Sequence, residues 1–418
     1  MFGAMETLDV AYADARPKVG KTAAERLAAV YWSRNTTPRE LPSERDRVFE
    51  LTATSGELTF LKVSNALEPL PVLETQNTML ETLADAQTCY RFPKLLPATD
   101  QTKIVETKLA GRHHFVHLLE EVPGTSVESG YQQSPELLRQ IGRMLAIVDR
   151  NLSESQTNDR AMIWDLRGAR TLIENNLHHV ANDDRRQLLQ RCLARYDEHV
   201  APRLPELRES LIYNDANPEN LRIDPSGRGT PKVIGLVDFG DSLRSWTVAE
   251  LAVACAYAGL DKRSPISAFC DLARGYVLEY MLTEAEADVV FELARIRLAL
   301  SVTVSAVRAS QDPSNDYLRI SEGPAWNLLK QLSGESEELA HYRLREACGY
   351  PPCAHTERVV AILKQASKEA GAILNPDPRN TPTVTIDLSV ESGEDAGMFD
   401  PNDPTEFSRH VTGLIKDH

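Results

Sequence analysis

Apolar and polar residues alternate in short runs through the first third of the chain and recur at helical spacing beyond it. Thr22 to Trp32 has the helical pattern, with Leu27, Val30 and Tyr31 on one face and Thr22 and Glu25 at capping-box spacing. Val48 to Thr54 and Glu57 to Val63 read as a hairpin about Ser55-Gly56, with Lys62 on its second strand. Pro71 to Leu83 is helical again, with Leu73, Asn77, Leu80 and Leu83 roughly in line. Thr102 to Lys108 and Phe115 to Leu119 form a second hairpin about Ala110-Gly111, and Glu120-Glu-Val-Pro-Gly124 ends it. Strands around one helix, closed by a Pro-Gly break, predict a small α+β unit of about 120 residues.

The remainder is mainly helical. Ser134-Pro135 opens a helix as N-cap and first-turn proline, and Leu137, Ile141, Leu145 and Val148 mark its buried face. Ala169 to Leu177 and Asp184 to Tyr196 carry similar patterns, and Thr247 to Ala258 is apolar enough to be buried on every side. Thr283-Glu-Ala-Glu286 is a capping box that starts a long helix through Val307, and Pro313 to Leu332 adds a turn and a helix. Past Gly349 a Pro-rich linker leads to a helix over Glu357 to Ala370. A tail rich in Pro, Asp, Ser and Thr follows, with one strand-like run, Val384 to Leu388.

Two short apolar runs interrupt the helices, and the candidate chemistry sits at their ends. Leu211-Ile-Tyr-Asn-Asp215 continues through Ala-Asn-Pro-Glu to Asn220, and Val233-Ile-Gly-Leu-Val237 runs into Asp238-Phe-Gly-Asp241. Asn-Asp-Ala-Asn-Pro is also good turn chemistry. An Asp, an Asn five positions on and an Asp-Phe-Gly after the next strand is nevertheless the arrangement of phosphoryl transfer by kinases. The first Asp orients the acceptor hydroxyl, and the Asn and second Asp supply oxygens to Mg2+ on the phosphates of ATP or GTP. Lys62 fits the phosphate-binding lysine, with Glu74 on the following helix as its carboxylate and Glu81 as the alternative partner. Neither a Gly-x-Gly-x-x-Gly nor a Gly-x-x-x-x-Gly-Lys motif is present, so the loop over the phosphates falls to Pro42-Ser43-Glu-Arg-Asp-Arg47, with hydroxyl and backbone donors. Asp241 reads equally as a phosphate-site or substrate carboxylate and as the N-cap of a following helix. Trp164-Asp165 reads on composition as a buried tryptophan beside a helix cap, and the two His pairs lack partners at metal spacing.

Composition narrows the partners. With 418 residues and 42% hydrophobic content the chain builds two or three compact units. A net charge of -15 argues against a nucleic-acid or anionic membrane surface, and no apolar run reaches the ~20 residues of a membrane span. The N-terminus has no signal-peptide pattern, and six scattered cysteines read as reduced thiols of a cytoplasmic protein.

From about residue 30 to 350 the sequence resembles the aminoglycoside phosphotransferase and choline kinase superfamily, and within it the hydroxylysine kinase branch. The motifs that carry the likeness are Leu41-Pro-Ser43, Leu61-Lys-Val-Ser-Asn65, Leu73-Glu-Thr-Gln-Asn77, Trp164-Asp-Leu166, Asp215 to Leu221, Asp238-Phe-Gly-Asp241, Ser264-Pro-Ile266, and Asp316-Tyr-Leu318 with Trp326. The resemblance implies a two-lobed kinase-like fold: a β-rich nucleotide-binding lobe over 1–122, a helical catalytic lobe over 123–350 and an extension over 351–418. It implies Asp215 as catalytic carboxylate, Asn220 and Asp238 as Mg2+ ligands, Lys62 paired with Glu74, and Trp164 and Asp165 in the substrate pocket. Tyr213 stands where the family usually has His. Arg345 to Gly349 and Ile386 to Ser389 resemble the connecting region of fusions with a pyridoxal-phosphate-dependent phospho-lyase, which makes such a fused or neighbouring enzyme an expected partner. The expected activity is a small-molecule kinase acting on an amino alcohol, with Asp165 and Asp241 holding its amine. The alternatives are an aminoglycoside phosphotransferase and a nucleotide-binding pseudokinase.

Overall fold

The computed structural model describes residues 14–127, 133–155, 160–224, 226, 230–311, 322–353 and 361. Its first part contains helix α1 (Lys21–Trp32), strands β1 (Thr36–Leu41), β2 (Arg47–Ala53) and β3 (Leu58–Val63), helix α2 (Leu70–Asp85), and strands β4 (Leu95–Leu96), β5 (Val105–Leu109) and β6 (Arg112–Glu120). The strands form one antiparallel sheet in the order β1-β2-β3-β6-β4, with β5 also on β6. Alternation along β2, β3 and β6 turns Phe49, Leu51, Leu61, Val63, Val116 and Leu118 inward against Ala24, Leu27 and Trp32 of α1. β1 is an edge strand, which lets it carry Pro38 without losing a ladder bond to a second neighbour. The capping box expected at Thr22 is not formed. The helix starts one residue earlier, Gly20 stands at its N-cap without a side-chain bond, and Thr22 is already inside the first turn.

A short strand β7 (Thr125–Ser126) leads into helices α3 (Pro135–Leu152), α4 (Leu166–Asn176) and α5 (Asp183–Arg195). Strands β8 (Glu209–Ile212), β9 (Leu221–Asp224), β10 (Lys232–Leu236) and β11 (Leu243–Trp246) follow. Helices α6 (Val248–Ala258), α7 (Pro265–Val277), α8 (Glu284–Gln311), α9 (Glu322–Leu332) and α10 (Glu337–Ala347) complete the described part. Ser134 caps α3 by accepting from the Leu137 N–H at 3.2 Å. The same Ser-Pro signal at Ser264-Pro265 opens α7, a helix the apolar spacing alone does not reveal. α3 and α7 touch backbone to backbone: a Cβ on Gly142 would stand 2.1 Å from the Leu272 carbonyl oxygen, and one on Gly275 2.0 Å from that of Arg139.

α6 is buried along its length except at Tyr257, which is half-buried. One large apolar cluster joins the helices to β8–β10 and also takes in Met79, Leu80, Leu83 and Phe92, so α2 packs its inner face on the helical part. Among the described residues no helix is long and apolar enough to cross a membrane, and all six cysteines are free thiols. The expected helix over Glu357 to Ala370 lies outside the described residues except for Ala361. The strand over Val384 to Leu388, the turn at Pro313, the Asp316-Tyr-Leu318 motif and nearly all of the 351–418 extension also lie outside them.

The capping box at the start of α8 is formed in full. The Thr283 N–H donates to Glu286 Oε2 at 2.8 Å and the Glu286 N–H to Thr283 Oγ1 at 3.2 Å. Glu286 is fully buried and also accepts from Arg208 Nε at 2.9 Å and Nη2 at 2.5 Å, which fixes the residue just ahead of β8. Thr283→Ala is therefore expected to lower stability by about 1 kcal/mol. Glu286→Ala removes the Arg208 pair together with its half of the box and is expected to cost about 2 kcal/mol. Denaturant unfolding checks both, and equal losses from the two variants would mean that the Arg208 pair carries no weight.

Candidate active site

β8 pairs with β11 and β9 with β10, each antiparallel, which brings the loops Tyr213–Asn220 and Val237–Ser242 side by side. Two short bonds join them and a third ties the first loop to α6. The Tyr213 hydroxyl donates to the Val237 carbonyl at 2.6 Å, the Val237 N–H to the Asn220 carbonyl at 3.0 Å, and the Asn214 N–H to Glu250 Oε2 at 2.7 Å. Asn214 and Asp238 take left-handed backbone angles, φ 67° and 56°, which Asn and Asp tolerate better than other side-chain-bearing residues. Glu250, on α6, is fully buried; burial raises its carboxyl above the ordinary range, and the loop N–H it accepts opposes that shift.

Asp215 is the centre of the first loop. Its Oδ2 accepts from Asn217 Nδ2 at 2.9 Å and from Asn220 Nδ2 at 2.8 Å, and its Oδ1 from the Tyr257 hydroxyl at 3.3 Å. Burial and then the charge of Asp241 push its carboxyl well above the ordinary carboxylate range, with the Asn217 amide pulling the other way. Such a carboxylate is a good proton acceptor for a hydroxyl at the moment its oxygen attacks. Asn220 is the fifth residue on, and its amide nitrogen is spent on Asp215, which turns its oxygen away as a free acceptor.

Asp238 opens the second loop with an exposed carboxylate whose Oδ1 accepts from the Gly240 N–H at 3.1 Å and meets Lys62 Nζ at 3.4 Å. The Lys62 charge holds it below the usual range. Lys62 also pairs with Asp46 Oδ2 at 3.2 Å. Burial works against the Lys62 charge, but Asp238 and Asp46 overcome it and raise its pKa. From the same polar loop Arg45 pairs with Asp241 and Glu44 with Arg308 of α8, so the loop over 42–47 is fastened to the helical part.

Several expected partnerships are not made. Glu74 is exposed on α2 and forms no ion pair among the described residues, and Glu81 pairs with Lys103 at 2.6 Å. Asp46 lies in the loop just ahead of β2, the strand paired with β3, and reaches Lys62 without the help of α2. Ser43 is half-buried, and its carbonyl accepts from Arg16 Nη2 at 2.5 Å. Asp165 is 5% exposed and caps α4: Oδ1 accepts from the Arg167 N–H at 3.0 Å and the Ser245 hydroxyl at 2.7 Å, and Oδ2 from Arg167 Nε at 2.9 Å. That leaves it a structural tie to β11 instead of a substrate carboxylate. Asp241 caps no helix, since β11 follows it and α6 begins only at Val248. Trp164 is half-buried with its ring against Arg297. Asp46, Arg45, Glu250, Tyr257 and Arg297 were not singled out from the sequence. For Arg297 the available signal was a charge inside the apolar run Ile296-Arg-Leu-Ala-Leu300.

The donor set of Asn220 Oδ1 and the open Asp238 carboxylate is all oxygen and suits a hard cation such as Mg2+. Among the described residues no three His, Cys, Asp or Glu stand together as a metal cluster.

The model of the phosphotransferase enzyme family matches residues 37–287, more than half of the chain, and the chain belongs to that family. It is a small-molecule kinase. It is similar to the hydroxylysine kinase of Danio rerio, 27% identical over 307 residues that cover 70% of this chain and 85% of that protein. The Mus musculus hydroxylysine kinase is 25% identical over 349 residues, covering 77% of this chain and 91% of that protein. Among solved structures the fold is shared with an amicoumacin kinase in complex with AMP-PNP, Ca2+ and Ami, at TM-score 0.58 and 11% identity over 78% of this chain and 96% of that one. It is shared too with a microcompartment-associated aminopropanol kinase, at TM-score 0.51 and 18% identity over 81% and 97% of the two chains.

Two predictions follow from the packing around the site. His117 lies opposite Lys62 in the β3–β6 ladder, and burial, then the Lys62 charge, push its pKa down to about 4 from 6.5. The folded state thus resists protonating it. The stability it supports is complete above pH 6.5 and drains as pH falls toward 4, by up to about 1.4 kcal/mol per pH unit. Thermal unfolding between pH 7 and 4.5 should show a steeper fall in wild type than in His117→Gln. Tyr213→Phe removes the bond to the Val237 carbonyl and should cost about 1–2 kcal/mol of stability. It should lower kcat while leaving the nucleotide KM little changed, as steady-state kinetics can check.

Proposed function

We propose that this kinase transfers the γ-phosphate of ATP or GTP, with Mg2+, to the hydroxyl of an amino alcohol of the hydroxylysine kind. The observation that carries the reading is that the loop holding Asp215 and Asn220 lies beside the loop holding Asp238, which Lys62 of β3 meets at 3.4 Å. Asp215 takes the hydrogen bond of the acceptor hydroxyl and aims its oxygen at the γ-phosphorus. The two amides that bond its Oδ2 keep it from turning away. Lys62, held by Asp46, steadies the phosphates. Asn220 and Asp238 would hold Mg2+, which supplies charge neutralisation across the phosphates when bound.

Most of the acceleration comes from positioning and from charge already in place, since phosphoryl transfer asks little covalent work of the protein. Asp241 is the remaining acidic candidate for the acceptor's amine, shared with Arg45. The similarity to hydroxylysine kinases supports an acceptor of that kind.

Asp215→Asn keeps the shape of the loop and removes the proton acceptor. It should lower kcat roughly 1000-fold and leave nucleotide affinity, measured by calorimetry, within a few-fold. A variant that retains near-full turnover sinks the role given to Asp215. A screen of amino alcohols against ATP and GTP, read by product mass, identifies donor and acceptor together.

A further inference from the structure

Tyr257, near the end of α6, links the catalytic carboxylate to a buried cation. Its hydroxyl donates to Asp215 Oδ1 at 3.3 Å and accepts from Arg297 Nη2 at 2.9 Å. Arg297, in the middle of α8, is 5% exposed, and its Nη1 donates to the Ser301 hydroxyl. The guanidinium lies 4.6 Å from the ring centre of Trp164 and 5.3 Å from that of Tyr257, so two aromatic faces hold its plane. A guanidinium has donors and no acceptor, and the Tyr257 oxygen can meet it only through a lone pair. The single proton of the hydroxyl is thereby directed at Asp215.

The two oxygens of Asp215 are not equivalent. Oδ2 accepts from both Asn217 and Asn220, whereas Oδ1 accepts from Tyr257 alone among the described residues and keeps a lone pair for the acceptor hydroxyl. Tyr257 thus bonds the oxygen on which the acceptor has to dock. Burial and the charges of Asp241 and Asp238 work against a carboxylate at this place, and the Arg297 charge opposes them. We propose that Tyr257 is a positioning residue for phosphoryl transfer, aiming Asp215 Oδ1 at the acceptor hydroxyl, and that Arg297 fixes the direction of the Tyr257 proton. The proposal rests on the role given to Asp215 above and adds to it the two residues that orient that carboxylate. Trp164 then serves as the ring face on which Arg297 is held.

The test measures ADP release by the full chain with ATP and Mg2+, once with 5-hydroxylysine as acceptor and once with water alone. Tyr257→Phe deletes the hydroxyl and keeps the ring, and should lower kcat roughly 30-fold with the KM values of nucleotide and acceptor held. Arg297→Gln offers the Tyr257 proton an acceptor and should lower kcat about as far, whereas Arg297→Lys, again a donor only, should lose only about 3-fold. In the Tyr257→Phe background, Arg297→Gln should add less than about twofold to the loss. Wild-type kcat in Tyr257→Phe overturns the proposal, whether or not the Arg297 variants fold. Additive losses in the double variant overturn it too, because Arg297 would then act by packing and not through the hydroxyl. A loss confined to KM, or equal losses from the Lys and Gln variants, has the same force. If wild type transfers only to water, the hydroxylysine reading fails by itself; the same losses in that slower rate uphold the role of Tyr257, and their absence overturns it.

Discussion

The shortest of the hydrogen bonds that tie the two functional loops together runs from the Tyr213 hydroxyl to the Val237 carbonyl. Tyr213 is fully buried, its ring lies edge-on to Phe239 at 5.0 Å, and the carbonyl it binds immediately precedes Asp238. Asp215 follows two residues after the donor. The bond therefore clamps the chain just before each acid, and the left-handed turns at Asn214 and Asp238 swing the carboxylates outward from it. An aromatic that fills the space and donates one proton meets this demand, which explains how tyrosine serves where the resemblance leads one to expect histidine. Glu250 completes the clamp from below by taking the Asn214 N–H into the core.

What could be read from the sequence was what depends on local spacing. Asp215, Asn220 and Asp238 are set by short strands and their turns, and β8 and β10 coincide with the apolar runs that precede the two acids. Lys62 follows from strand alternation alone. The partner of Lys62 could not be read so, because it depends on how α2 turns relative to β3. Glu74 points to solvent, while Asp46 arrives from the loop just before β2. Asp165 shows the opposite failure. Its local signal, a helix cap before Leu166, was the correct one, and the likeness to a pocket motif drew it toward the substrate. Tyr257 and Arg297 sit in helices whose apolar composition reads simply as core, so only the three-dimensional packing reveals that they reach Asp215.

The cations around the site are held in two physically different ways. Lys62 and Arg45 are each neutralised by acids of the same cleft, Asp46 and Asp238 for the first and Asp241 for the second. A polyphosphate meeting them has to compete with those carboxylates, so its net gain is modest unless Asp238 is engaged at the same time by a divalent ion. That couples phosphate binding to the metal through charge balance alone, without a glycine-rich loop to supply backbone donors. Arg297 is held by aromatic faces and hydroxyls, and its charge acts on Asp215 two hydrogen bonds away. The chain thus sets its directly paired cations beside Asp238 and Asp241, and a cation without a direct ion pair two hydrogen bonds from Asp215.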